Sequence, residues 1–122
     1  MKIRNKTRGT VLGDRIEEAR TFRSRLRGLI GRRDLASGEG LLLRRTRAIH
    51  MCLMRFPIDA IFLDGEGRVM AVYEGLRPWR DSAAVRGARD VLEVPTGTAA
   101  ATGTKTADEL EIREVDAGYE KG

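Results

Sequence analysis

The sequence predicts a mainly β (α+β) fold, a compact closed or sandwich-like β domain with one helix from the N-terminal half packed across it. Three observations predict it. Apolar residues occur in short runs (41–43, 49–54, 58–63, 69–73, 91–94 and 110–115) separated by turn-forming residues. Only residues 21–33 carry a helical period. With 122 residues, 41% hydrophobic and 34% charged, the chain is long enough for one buried core and too apolar to stay disordered. A single domain over residues 1–122 follows.

From the N-terminus, Ile3, Val11, Leu12 and Ile16 alternate in short bursts around Gly9 and Gly13-Asp14, which suggests a small hairpin or meander in residues 2–18. In residues 21–33, Phe22, Leu26, Leu29 and Ile30 fall at i, i+4, i+7 and i+8. Thr21 suits the cap before that helix and Gly31 its end. A loop at 36–40 leads into the strand-like runs. Asp64-Gly65-Glu66-Gly67 reads as a hairpin turn between two of them. Residues 96–107, rich in Thr, Gly and Ala, read as a loop with a short helical turn. Leu110 and Ile112, with acidic neighbours between and beyond, show the alternation of a half-buried strand.

The central stretch Ile49-His50-Met51-Cys52-Leu53-Met54-Arg55-Phe56-Pro57-Ile58-Asp59-Ala60-Ile61-Phe62-Leu63-Asp64 resembles the signature of the uncharacterised prokaryotic family called domain of unknown function 192. Upstream, Arg25, Gly28, Leu29 and Ile30 are similar to its Arg-x-x-Gly-Leu-Met element, with Ile30 in place of Met. Downstream, Val91-Leu92-Glu93-Val94-Pro95-Thr96-Gly97 is similar to its Leu-Glu-Leu-Pro-Ala-Gly element, with Thr96 in place of Ala. The likeness spans about residues 10–115, and three motifs in the right order make it specific. It implies one compact, mostly β domain with one early helix, and it brings no activity with it. Many family members carry Trp-Met-Lys-Asn-Thr in the central motif where this chain has His50 and Phe56-Pro57, so no role of that Trp transfers.

Composition narrows the function classes. No apolar run approaches the roughly 18–20 residues of a membrane span. The N-terminus lacks the apolar block of an export signal, which suggests a cytoplasmic protein. Cys52 is the single cysteine, so an internal disulfide and a multi-cysteine zinc framework are excluded. The net charge of +5 is uneven: residues 1–60 hold 15 Lys and Arg against 6 Asp and Glu, while residues 61–122 hold 8 against 12. The arginines of 21–33 with Arg44, Arg45, Arg47 and Arg55 offer a basic patch. Aromatic residues are only 5% of the chain, so stacking on bases has little to work with, and specific nucleic-acid binding is not expected.

A few residues could carry chemistry. A strand over 49–54 would point His50, Cys52 and Met54 to one face, a donor set suited to copper(I). Same-face residues of a strand lie about 7 Å apart, however, and Cys and Met are common core residues. Cys52 as thiolate with His50 as base and Asp59 as orienting carboxylate is the candidate nucleophilic set. Asp59 stands in an apolar run, where a buried carboxylate demands a partner, either an arginine or a turn that it caps. Trp79, in Leu76-Arg77-Pro78-Trp79-Arg80, is either a lid on the core or a binding anchor.

The leading expectation is a non-catalytic binding or interaction module, needing no cofactor, for a small-molecule or protein partner. Its site would lie where the His50 to Asp59 segment meets the Trp79 loop, with His50, Met54, Asp59, Trp79 and Arg80 as ligand-binding candidates. The alternative is a small enzyme or soft-metal protein using His50 and Cys52. The reactivity of the Cys52 thiol towards alkylating reagents separates the two.

Overall fold

A computed structural model of the chain describes residues 1–19, 34–51 and 54–114. The helix expected at 21–33 lies outside these residues, as does Cys52. Among the described residues, ten strands and one short helix follow in order: β1 (Lys2–Asn5), β2 (Thr10–Gly13), β3 (Arg15–Ala19), β4 (Glu39–Arg44), β5 (Ala48–His50), β6 (Ile58–Leu63), β7 (Val69–Leu76), β8 (Ser82–Ala84), β9 (Asp90–Pro95), α1 (Thr98–Thr102) and β10 (Leu110–Arg113). The mainly β expectation holds, and α1 falls in the Thr/Gly/Ala-rich stretch read as a helical turn. No described helix is long and apolar enough to cross a membrane.

The strands form a five-stranded sheet in the order β3-β4-β9-β6-β7, a three-stranded sheet β10-β1-β2 and a two-stranded sheet β5-β8. Among the described strands, only β3 and β4 pair in parallel. The five-stranded sheet has two ends and does not close into a barrel, so the closed form among the two expected is not realised.

The central sheet is buried on both faces, and this accounts for its unbroken apolar runs. Leu41, Leu43, Ile58, Ala60, Phe62 and Val91 point to one side, where they pack with Ile49, Met51, Met54, Phe56 and Ala83. Leu42, Ile61, Leu63, Leu92 and Val94 point to the other and pack against Ile3, Leu12 and Leu110 of the three-stranded sheet. A period of two divides each run between two cores. Phe62 is fully buried and meets Tyr73 edge-on, with ring centroids 5.5 Å apart at 76°. Truncating it to alanine would cost roughly 3–5 kcal/mol.

The β6–β7 turn is built as its sequence suggests. The Asp64 side chain accepts hydrogen bonds from the N–H groups of Glu66 (2.8 Å) and Arg68 (2.9 Å), and Gly67 takes a φ of 84°. These donors hold the Asp64 carboxyl below its ordinary range.

Candidate functional site

The two-stranded sheet positions the region singled out by the sequence. In it Ala48 lies opposite Ala84, Ile49 opposite Ala83 and His50 opposite Ser82. Ile49 and Ala83 face the core, so His50 and Ser82 face solvent. The strand expected over 49–54 stops at His50. Beyond it Met51 exchanges backbone hydrogen bonds with the following loop: its N–H donates to the Asp81 carbonyl (2.9 Å) and its carbonyl accepts from Trp79 N–H (2.8 Å). The Met51 carbonyl also accepts from Met54 N–H (3.1 Å), which turns the chain. Met54 is therefore buried in the core while His50 is exposed, so the proposed single strand face carrying both does not exist.

The loop after β7 is tied by one side-chain pair. Arg77 donates through Nε and Nη2 to the two carboxylate oxygens of Asp81, each at 3.0 Å, and through its backbone N–H at 2.7 Å. The Arg77 side chain first, and its N–H second, hold the Asp81 carboxyl down at about 2. The turn lifts Trp79 to its apex with a φ of 64°, a left-handed conformation rare outside glycine. There the indole is 63% exposed, so it is not a lid on the core. Arg80, next in the chain, is exposed and makes no ion pair among the described residues.

Asp59 lies elsewhere. It is wholly buried, and among the described residues no arginine pairs with it. Its Oδ1 accepts from Gly75 N–H (2.9 Å), and its Oδ2 accepts from Gly97 and Ala99 N–H (both 3.0 Å). Of the two partners the sequence allowed, the capped turn is the one present. The register between β6 and β7 shifts between Ile58 and Ala60, and Gly75, at φ 65°, sits in that irregularity with its N–H turned to Asp59. Gly97, at φ 98°, stands at the N-cap of α1 and has no side chain to cap it, so Asp59 supplies that service from β6. The carboxylate is thus taken up by backbone donors, and none of these bonds comes from His50.

The structure brings His50 and the Trp79–Arg80 loop together through Met51, and leaves Met54 and Asp59 inside. No group of three or more His, Cys, Asp or Glu side chains among the described residues is placed to hold a metal ion. Sequence reasoning passed over a second polar cluster. Asp108 accepts from Arg8 Nε (2.9 Å) and Nη2 (3.0 Å), from Asn5 Nδ2 (2.9 Å) and from Lys105 N–H (2.9 Å). The Arg8 contact, before the Asn5 and Lys105 bonds, holds the Asp108 carboxyl at about 2. Its side-chain donors, Asn5 and Arg8, lie about a hundred residues from Asp108, and no local pattern marks them.

Residues 3–112 match the sequence profile of DUF192, described as an uncharacterized ACR. A UPF0127 protein of Thermococcus sibiricus is 33% identical over 111 residues, covering 88% of this chain and 71% of that protein. A UPF0127 protein of Thermococcus gammatolerans is 35% identical over 99 residues, covering 78% of this chain and 64% of that protein. Among solved structures, a protein of unknown function from Novosphingobium aromaticivorans superposes with a TM-score of 0.77 at 29% identity, over 91% of this chain and 82% of the other. A candidate transcription regulator from Sinorhizobium meliloti superposes with a TM-score of 0.75 at 26% identity, over 90% and 89%.

Proposed function

Since the chain belongs to the DUF192 family, which carries no activity to transfer, its function has to be read from its own surface, and we propose a non-catalytic binding module that recognises an acidic polypeptide through the Trp79 loop. One observation carries the reading: Trp79 is 63% exposed yet held in a left-handed backbone conformation by a turn that Arg77 and Asp81 lock. An exposed indole on a fixed turn loses little freedom when a partner covers it, and aromatic anchors of this kind concentrate binding energy. Arg80, Arg55 and His50 are exposed on the same loop or on the segment bonded to it, which favours carboxylates in the partner. The description of the Sinorhizobium relative as a candidate regulator agrees with a domain that acts by binding.

Trp79 is the only tryptophan, so its emission reports on this loop alone. Titration with a random glutamate–tyrosine copolymer, exciting tryptophan selectively, should give a saturable change in emission that weakens with salt and is several-fold weaker in Arg80→Ala. Emission that stays constant across the titration, or a change equal to that caused by an uncharged polymer, would overturn the reading.

A further inference from the structure

At the opposite end of the β5–β8 ribbon from Trp79, an open depression of about 340 Å³ is lined by Arg45, Arg47, Ala88 and Arg89. A smaller one of about 190 Å³ adjoins it, shares Arg45 and Arg89, and adds Arg44, Gly65 and Asp90. We infer that this depression is a binding site for a phosphate monoester dianion, gripped by the guanidinium groups of Arg45, Arg47 and Arg89.

The first support is the contrast among the arginines. Arg4, Arg8, Arg15, Arg44, Arg68, Arg77 and Arg113 all pair with carboxylates. Arg45, Arg47, Arg55, Arg80, Arg86 and Arg89 form no ion pair among the described residues, and three of these six, Arg45, Arg47 and Arg89, line one concavity. Three like charges gathered around one depression repel each other, and an anion between them relieves that repulsion. The acid nearest to hand is already used. Asp90 accepts from Arg44 Nη1 at 3.3 Å and from the N–H of Arg45 at 3.1 Å, and Arg44 Nε also meets Glu18 at 3.3 Å.

The second support is that the backbone fixes where the three side chains start. Arg89 N–H donates to the Leu63 carbonyl at 2.7 Å, and the Arg89 carbonyl accepts from Thr46 N–H at 2.8 Å, between Arg45 and Arg47. The Arg47 carbonyl accepts from Val85 N–H at 2.9 Å. Arg45 takes a φ of 54°, a strained conformation for a side chain of its size, and its N–H is held by Asp90. Planar guanidinium forks suit the oxygens of a phosphate, which two or three of them can bind bidentately. The volume lies at the lower end of the about 300–1,000 Å³ typical of small-ligand pockets, room for a phosphate with a sugar-sized group attached.

Calorimetry on the full chain with inorganic phosphate, ribose 5-phosphate and a short DNA duplex, at ionic strength matched with sodium chloride, tests the inference. Phosphate and ribose 5-phosphate should bind saturably and compete with each other. Ribose 5-phosphate binding should be about fourfold tighter at pH 7.5 than at pH 5.5, because a phosphate monoester gains its second charge near pH 6. Arg47→Ala and Arg89→Ala should each weaken it about tenfold, while Arg113→Ala leaves it unchanged. Arg89→Lys should restore only part of the loss, and Arg47→Gln replaces Arg47→Ala should the latter melt early. Three results would overturn the site: binding no stronger than to chloride, binding unchanged in both pocket variants, or arginine-dependent binding of the duplex that ribose 5-phosphate does not displace. The last would assign the arginines to a nucleic-acid backbone.

Discussion

The carboxylate of Asp59, on β6, accepts a hydrogen bond from the backbone N–H of Ala99, forty residues later in α1, at 3.0 Å. With the Gly97 and Gly75 bonds it joins the β7 irregularity, the end of β9 and the start of α1 at one buried point. Two of the segments that carry the family resemblance, the one ending in Asp64 and the one ending in Gly97, therefore meet in a structural junction. Charge here is balanced by N–H dipoles, as at a helix N-terminus, with no cation needed.

Replacing Asp59 with asparagine keeps the shape but sets an NH2 group against backbone N–H donors. Asp59→Asn is expected to destabilise the fold by about 2–3 kcal/mol, and exposed His50→Ala by less than about 0.5 kcal/mol. Urea unfolding with unchanged slopes would measure both. An unaffected Asp59→Asn midpoint would refute the junction.

The Arg8–Asp108 pair should set part of the acid limit of stability. Because the folded Asp108 carboxyl titrates at about 2, below its ordinary 3.8, its stabilisation is complete above that ordinary value and is lost as pH falls towards 2. Arg8→Ala removes the largest cause of the depression, so its acid unfolding should begin at a higher pH than in the parent chain. Circular dichroism followed from pH 5 downwards reads the shift, and coincident curves would count against it.

Trp79 should behave as a surface residue with a strained backbone. Its emission should be solvent-like and readily quenched by acrylamide, and Trp79→Gly should raise stability by about 0.5–1 kcal/mol by relieving the left-handed conformation. A blue-shifted, protected indole, or a variant less stable than the parent, would contradict the exposed turn.

Gly40 marks where two strands press on β4. A Cβ there would lie 2.7 Å from the Glu93 carbonyl oxygen and 2.8 Å from Ile16 Cδ1. Gly40→Ala should cost about 2–3 kcal/mol and lower the thermal midpoint accordingly. Gly9→Ala meets no atom within 4 Å but has a φ of 73°, so it isolates backbone strain from crowding.

By itself the sequence determined the strand-rich architecture, the Asp64–Gly67 turn and the short helical turn near residue 100, because each is encoded by side chains within a few residues of one another. It also determined that Asp59 must have a partner, since burying a carboxylate alone is too costly. Tertiary structure decided which partner. The donors at Gly75, Gly97 and Ala99 are backbone groups, present at every position and marked by no residue type, and they become available only where β7 is irregular and α1 begins. The end of β5 at His50 was likewise decided by the Asp81 and Trp79 groups that capture Met51 from another part of the chain. Arg89 reaches Arg45 and Arg47 for the same kind of reason: the Thr46–Arg89 backbone bond forms only once β4 and β9 have paired, a contact between segments over forty residues apart that no local periodicity encodes.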